Sequence, residues 1–146
     1  MKDKTIDYVL RTTWLTVSKM YNEEASKFDS TMATGLTLLS IDQEKGTPST
    51  ALGPKMGMEA TSLSRILKTM EKRGLIERRS NPDDGRSVLI HLTDFGREKR
   101  MYSKEKVLTF NEAIRNNISE EKLKNFYEVA ELINEMITNK KIYKNN

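Results

Sequence analysis

The sequence predicts a mainly α-helical protein with one small β-hairpin set between long helices. Two observations carry that expectation. Apolar residues recur at helical spacing along most of the chain, and a single stretch, "SNPDDGRSVLIHLT" from Ser80 to Thr93, replaces that spacing with a polar turn and an alternating run. The 146 residues suffice for one domain with a real core, and a composition of 36% hydrophobic and 32% charged residues is too apolar and too periodic for a disordered chain. One folding unit is expected over 1–146, with a central lobe at about 33–96 and a helical region at about 5–28 and 97–140.

From Thr5 to about Phe28, Ile6, Val9, Leu10, Trp14, Val17, Met20, Tyr21, Ala25 and Phe28 form the stripe of a long amphipathic helix. A second helix fits "MATGLTLLSIDQEKG", with Leu36, Leu39 and Ile41 inward and Gly46 as its stop. Thr47 and Pro48 read as an N-cap and a first-turn proline. The helix they begin is very short or bent near Gly53, because Pro54 lacks the N–H that a helix interior uses. Gly57 turns the chain into the next helix, about Glu59 to Arg73, where Leu63, Ile66, Leu67 and Met70 make the buried stripe and Gly74 the stop. Two short helices joined by a tight turn are the signature of a helix-turn-helix.

"LIERRS" and "SVLIHLT" then read as strands, Val88, Ile90 and Leu92 alternating against Leu89, His91 and Thr93, with "NPDDGR" as the loop between them. The hairpin hangs after the second helix of the motif as a wing, and lone His91 is expected at a polar surface position. A long helix starts near Thr93 or Asp94 with an irregularity at Gly96. A last helix begins at Ser119, whose hydroxyl caps it while Glu120 and Glu121 suit the positive end of its dipole. Leu123, Phe126, Ala130, Ile133 and Ile137 form its stripe, with Tyr127 and Met136 alongside, and a solvated tail follows from Asn139.

No apolar run approaches the ~18 to 20 residues that span a bilayer, and "MKDKTIDYVLRTTW" has no signal-peptide core, so no membrane insertion and a cytoplasmic location are expected. The absence of cysteine excludes disulfides, thiolate metal sites, cysteine nucleophiles and thiol redox switching. One histidine, no Gly-rich phosphate loop and no helical His pair argue against an enzyme, and no cofactor or metal is expected.

Charge is the stronger guide. The net charge is +4, and Lys55 to Arg79 alone holds seven Lys/Arg against three Glu, so the basic excess sits in one short segment. That is the footprint of a polyanion partner, although a solvated charged face has the same composition. On the helix from Glu59 to Arg73, Ala60, Thr61, Ser62, Ser64, Arg65 and Lys68 lie off the buried stripe. Small polar residues on such a face suit the major groove of double-stranded DNA, with Arg65 placed for bidentate contact to guanine. Lys55, Lys72, Arg73, Arg78 and Arg79 suit backbone phosphates instead. In the wing, Arg86 suits the minor groove with Asp84 holding it; the competing reading is that Asp83, Asp84 and Arg86 only satisfy a turn.

These residues resemble a known family. "TPSTALGPKMGMEATSLSRILKTMEKRGLIERRSNPDDGRSVLIHLTDFG", Thr47 to Gly96, is similar to the winged helix-turn-helix of the MarR (multiple antibiotic resistance regulator) transcription factors. The cues are Leu63 to Leu67 leading into "MEKRGLIERR", the Asp-x-Arg pair Asp84 and Arg86, and "LIHLTDFG". The resemblance implies a homodimeric regulator of pseudo-palindromic promoter DNA, with Ala60 to Lys68 as groove contacts, Asp84 orienting Arg86, and a small-molecule effector that weakens the grip. Gly53 and Pro54 depart from the acidic, helix-forming residues common there, which puts the first helix of the motif in question.

The flanking helices carry more apolar surface than a small winged lobe needs, which suits a second copy; packing on each other within one chain is the alternative. By the resemblance, the effector site lies between the dimerisation helices and the DNA-binding lobe, a region that includes Tyr8, Arg11, Trp14 and Met32. The rival function is a winged helix that binds protein rather than specific DNA.

Overall fold

The computed structural model describes residues 4–143, in two compact units, Met1–Lys106 and Val107–Asn146. Six helices and three strands are described: α1 (Ile6–Ser26), α2 (Met32–Ser40), β1 (Thr47–Pro48), α3 (Ser49–Met56), α4 (Ala60–Lys72), β2 (Ile76–Ser80), β3 (Val88–Leu92), α5 (Asp94–Asn117) and α6 (Glu120–Thr138). The fold is the expected one, mainly helical with a small hairpin. No helix among the described residues is long and apolar enough to cross a membrane.

In the first unit, the core consists of Leu38, Ile41, Leu52, Leu63, Leu67, Met70, Leu75, Ile76, Ile90 and Leu92, contributed by α2, α3, α4, the sheet and, at Ile41 and Leu75, the connecting segments. The stripe of α4 falls as its 3.6-residue period dictates, with Leu63, Leu67 and Met70 buried and Ile66 packed at the edge. Gly74 ends it at φ +75°, a left-handed conformation that costs glycine no Cβ clash.

Several local expectations are corrected. Thr47 is not a helix cap: it lies in β1 opposite Ile90, and its hydroxyl accepts the Asp42 N–H at 2.9 Å. The sheet therefore has a third strand, in the order β1-β3-β2, all antiparallel. Pro48, not Thr47, stands at the start of α3, which runs eight residues and keeps Pro54 in its last turn. The α2 helix stops at Ser40, and its inward residues are Leu38, Thr34 and Thr37 in place of Leu36 and Leu39. Threonine can face a core here because the Thr37 hydroxyl donates to the Ala33 carbonyl at 2.7 Å. Gly46 is not the helix stop; it serves the turn into β1 at φ +70°.

His91 is buried, 8% exposed, rather than a surface residue. Its ring packs so closely on Gly46 that a Cβ there would lie 2.6 Å from Nε2. Burial, with Arg79 nearby, pushes its pKa below the ordinary 6.5, partly opposed by Glu77. Gly96 makes no irregularity in α5; it is buried inside a continuous helix, and any Cβ there would overlap the Leu75 carbonyl.

Within the same unit, α1 begins at Thr5, whose hydroxyl accepts the Tyr8 N–H at 3.3 Å. The Asn22 side chain accepts the Met32 N–H at 3.0 Å, and the Phe28 and Tyr102 rings pack tilted at 52° with centroids 3.9 Å apart. Yet α1 contains no buried residue, and Ile6, Val9, Leu10, Trp14 and Leu15 are exposed.

The second unit holds the end of α5 and all of α6. Ser119 caps α6 as expected, accepting the Lys122 N–H at 3.3 Å. Leu123, Ala130 and Ile133 are half-buried, while Phe126, Tyr127, Val129, Leu132, Met136 and Ile137 are exposed. The last three residues of the chain lie outside the described residues.

Candidate nucleic-acid interface

Gly57 makes the turn of the helix-turn-helix. At φ +63° and ψ 34° it occupies the left-handed region that closes a helix, and the Met58 N–H reaches back to the Gly53 carbonyl at 2.9 Å. Gly53 is needed for this approach, since a Cβ on it would lie 3.0 Å from the Met58 carbonyl oxygen. The departures at Gly53 and Pro54 thus leave a short, intact first helix.

With Leu63, Leu67 and Met70 turned inward, Ala60, Thr61, Ser62, Ser64, Arg65 and Lys68 are all exposed on α4. An open groove of about 690 Å³ runs beside it, lined by Ser49, Thr50 and Pro54 of α3, Ala60 and Ser64 of α4, and Arg78 of β2. Ser49 and Thr50 were not singled out from the sequence. The signal was there: they are small and polar at the start of the first helix of the motif, as Thr61 and Ser62 are in the second.

The cations divide by their partners. Lys72 and Arg73 are exposed at the end of α4, and Arg65 and Lys68 are exposed along it. Arg78 pairs through Nε with Glu71 at 3.1 Å, joining α4 to the wing, and it lines both the α4 groove and a second hollow of about 400 Å³ along the wing. Arg79 pairs with Glu77 on its own strand. Lys55 donates from Nζ to the Ser40 carbonyl at 2.7 Å, so it holds the end of α2. Such exposed pairs contribute little to stability and open readily for a phosphate.

At the wing tip, the Asp84 carboxylate accepts the Arg86 backbone N–H at 3.0 Å, while Asn81 accepts the Asp83 N–H at 3.0 Å and donates to the Ser87 hydroxyl at 2.8 Å. Asp84 therefore holds Arg86 through the main chain, leaving the exposed guanidinium without an ion pair among the described residues.

The four residues expected around an effector lie on α1 and at the start of α2. Tyr8, Arg11 and Trp14 line the exposed first half of α1, with the Arg11 guanidinium 5.9 Å from the Tyr8 ring centroid. Met32 opens α2 and is tied to Asn22, about 12 Å along α1 from Trp14 by helical rise. Neither of the two hollows described above is lined by any of the four.

Residues 31–88 match the MarR family model. The chain carries a MarR-family domain. The chain is 32% identical over 88 residues to the HTH-type transcriptional regulator YdgJ of Bacillus subtilis, an alignment spanning 60% of this chain and 54% of YdgJ. It spans about half the length of the relatives it matches. The S. aureus MepR–DNA complex superposes with a TM-score of 0.82 at 20% identity, covering 92% of this chain and 99% of MepR. CouR from Rhodococcus jostii RHA1, bound to p-coumaroyl-CoA, superposes at 0.78 with 21% identity, covering 89% of this chain and 92% of CouR. The winged-helix fold of the MarR regulators is thereby shared.

Proposed function

We propose that this protein is a transcriptional regulator that binds double-stranded DNA as a homodimer and acts as a repressor at pseudo-palindromic promoter sites. The observation that carries this reading is the outward face of α4, small, polar and basic along its length, beside a wing whose tip presents Arg86. Its role division follows from chemistry: Ala60, Lys68, Arg65 and the hydroxyls of Thr61, Ser62 and Ser64 face the major groove, with Arg65 reading base edges, Lys55, Lys72, Arg73, Arg78 and Arg79 meet phosphates, and Arg86 enters the minor groove with Asp84 holding it. The MepR structure, captured with DNA, supports this reading.

The homodimer rests on the exposed apolar residues of α1 and α6, which a partner of the same sequence can cover. A two-fold pair places two α4 helices about 34 to 36 Å apart, one turn of DNA. Release by a small-molecule effector is supported by ligand-bound neighbours such as CouR. A cytoplasmic location and the absence of catalysis belong to the same reading.

Selection of bound sequences from random duplex DNA, repeated at two salt concentrations, tests the proposal. A palindrome with half-sites one turn apart, lost steeply as salt rises, is expected. Salt-sensitive binding with no sequence preference would overturn it in favour of a winged helix that binds protein.

A further inference from the structure

The end of α4 and the start of α5 are tied by one residue. The Thr93 N–H donates to the Leu75 carbonyl at 3.1 Å, and its hydroxyl donates to the Gly74 carbonyl at 2.6 Å. The same hydroxyl oxygen accepts the Gly96 N–H at 3.0 Å, in the first turn of α5. Gly74 and Leu75 are the residues that close α4, for the Leu75 N–H returns to the Met70 carbonyl at 3.0 Å. Thr93 thus uses its backbone donor, its hydroxyl proton and its hydroxyl lone pair to join two helix ends.

Two further features tighten this joint. Gly96 lies against the Leu75 carbonyl so closely that no other side chain fits, which holds α5 to the turn after α4. Arg97 pairs with Asp94 at 3.1 Å and donates to the Gln43 carbonyl at 3.2 Å, fixing the first turn of α5 to the loop before β1 as well. A helix end held through a hydroxyl, a main-chain bond and a steric seat has no free hinge.

We propose that Thr93 is a positioning residue for DNA recognition: it makes α4 turn with α5, so that the orientation of the reading helix is set by the long helix beyond it. This inference rests on the proposed regulator function, in which the spacing of two α4 helices must match the spacing of two half-sites. Thr93 touches no base. It acts through Gly74 and Leu75 on the direction of α4.

The chain has no cysteine, so spin labels attach only where one is introduced. Thr69→Cys on α4 and Lys104→Cys on α5, both exposed, give one intrachain distance when the labelled chain is diluted into unlabelled protein. The native joint gives one narrow distance distribution. Thr93→Val, which keeps the shape and removes the hydroxyl, broadens it, and Thr93→Ser restores it. In parallel, each unlabelled variant is titrated with the selected palindrome and with the same palindrome carrying two extra base pairs between half-sites. The preference for native spacing falls roughly 5- to 30-fold in Thr93→Val, the factor expected from losing one or two hydrogen bonds, and returns in Thr93→Ser.

An unchanged distance distribution together with an unchanged spacing preference in Thr93→Val overturns the proposal. Should Thr93→Val not fold, native-state hydrogen exchange on the unaltered protein decides: the Thr93 and Gly96 amides exchange as slowly as that of Leu67 if the joint is rigid, and fast exchange at Gly96 overturns it. A distance that responds to Thr93→Val in a protein that prefers no DNA sequence would defeat the regulator reading while leaving the mechanical joint standing.

Discussion

The winged lobe and the flanking helices α1 and α6 solve the burial problem in opposite ways. From α2 to β3, ten apolar side chains close over one another. In α1 and α6 no residue is buried, although both carry apolar residues at helical spacing. Helical periodicity states that a face is apolar; it does not state what covers it. The lobe finds its cover among its own elements. The flanking helices leave theirs open, and the difference marks where a second chain is expected to contribute.

The sharpest way to break this contrast is to remove equal chemistry from each side. Leu67→Ala in the lobe is expected to lower unfolding stability by about 2 to 5 kcal/mol, measured by denaturant titration, because it leaves a cavity in a closed core. A loss below about 1 kcal/mol would show that the lobe is looser than its burial indicates. Next in size, Arg65→Ala is expected to weaken operator binding by about 1 to 3 kcal/mol and to relax preference at one base. An unaltered base preference in a repeat selection would remove Arg65 from base reading.

On the flanking side, Phe126→Ala should weaken self-association by about 1 to 2 kcal/mol in sedimentation equilibrium. The lobe's stability, measured at a concentration where both proteins are monomeric, should stay within about 0.5 kcal/mol. Unchanged association would reassign that face.

The smallest effect concerns pH. Burial, with Arg79 nearby, holds the His91 pKa below 6.5 in the fold, so the unfolded chain takes up the proton first as pH falls. The stability this contributes is fully present above pH 6.5 and is lost as pH falls through the lower folded value. Thermal unfolding followed against pH should therefore show a fall on the acid side of 6.5 that is shallower in His91→Gln. Identical curves would mean that the ring accepts a proton in place.

What the sequence revealed was whatever depends on neighbours in the chain. The cap at Ser119, the left-handed stop at Gly74 and the stripe of α4 are all set within a few residues, and so was the polar face opposite that stripe. What escaped notice depends on distant partners. Two residues, Thr47 and Pro48, become a strand only because Ile90 and Leu89 lie opposite them. His91 is buried because Gly46 lets a turn close over it, and the alternation of β3 gave no hint that both faces would be covered near its end. Gly96 read as a flaw in a helix because the Leu75 carbonyl that it accommodates comes from 21 positions earlier.

The open faces of α1 and α6 also bear on gene dosage. If a second copy covers them, as proposed, a chain that has just left the ribosome carries these apolar surfaces bare until it meets another, and that waiting time lengthens as copy number falls. Scarce regulator would spend longer alone, exposed to proteases and chaperones, so that its abundance would drop faster than its synthesis. In the proposed dimeric repressor, repression would then respond to expression level more steeply than in direct proportion, a threshold set by the two flanking helices and not by the reading helix.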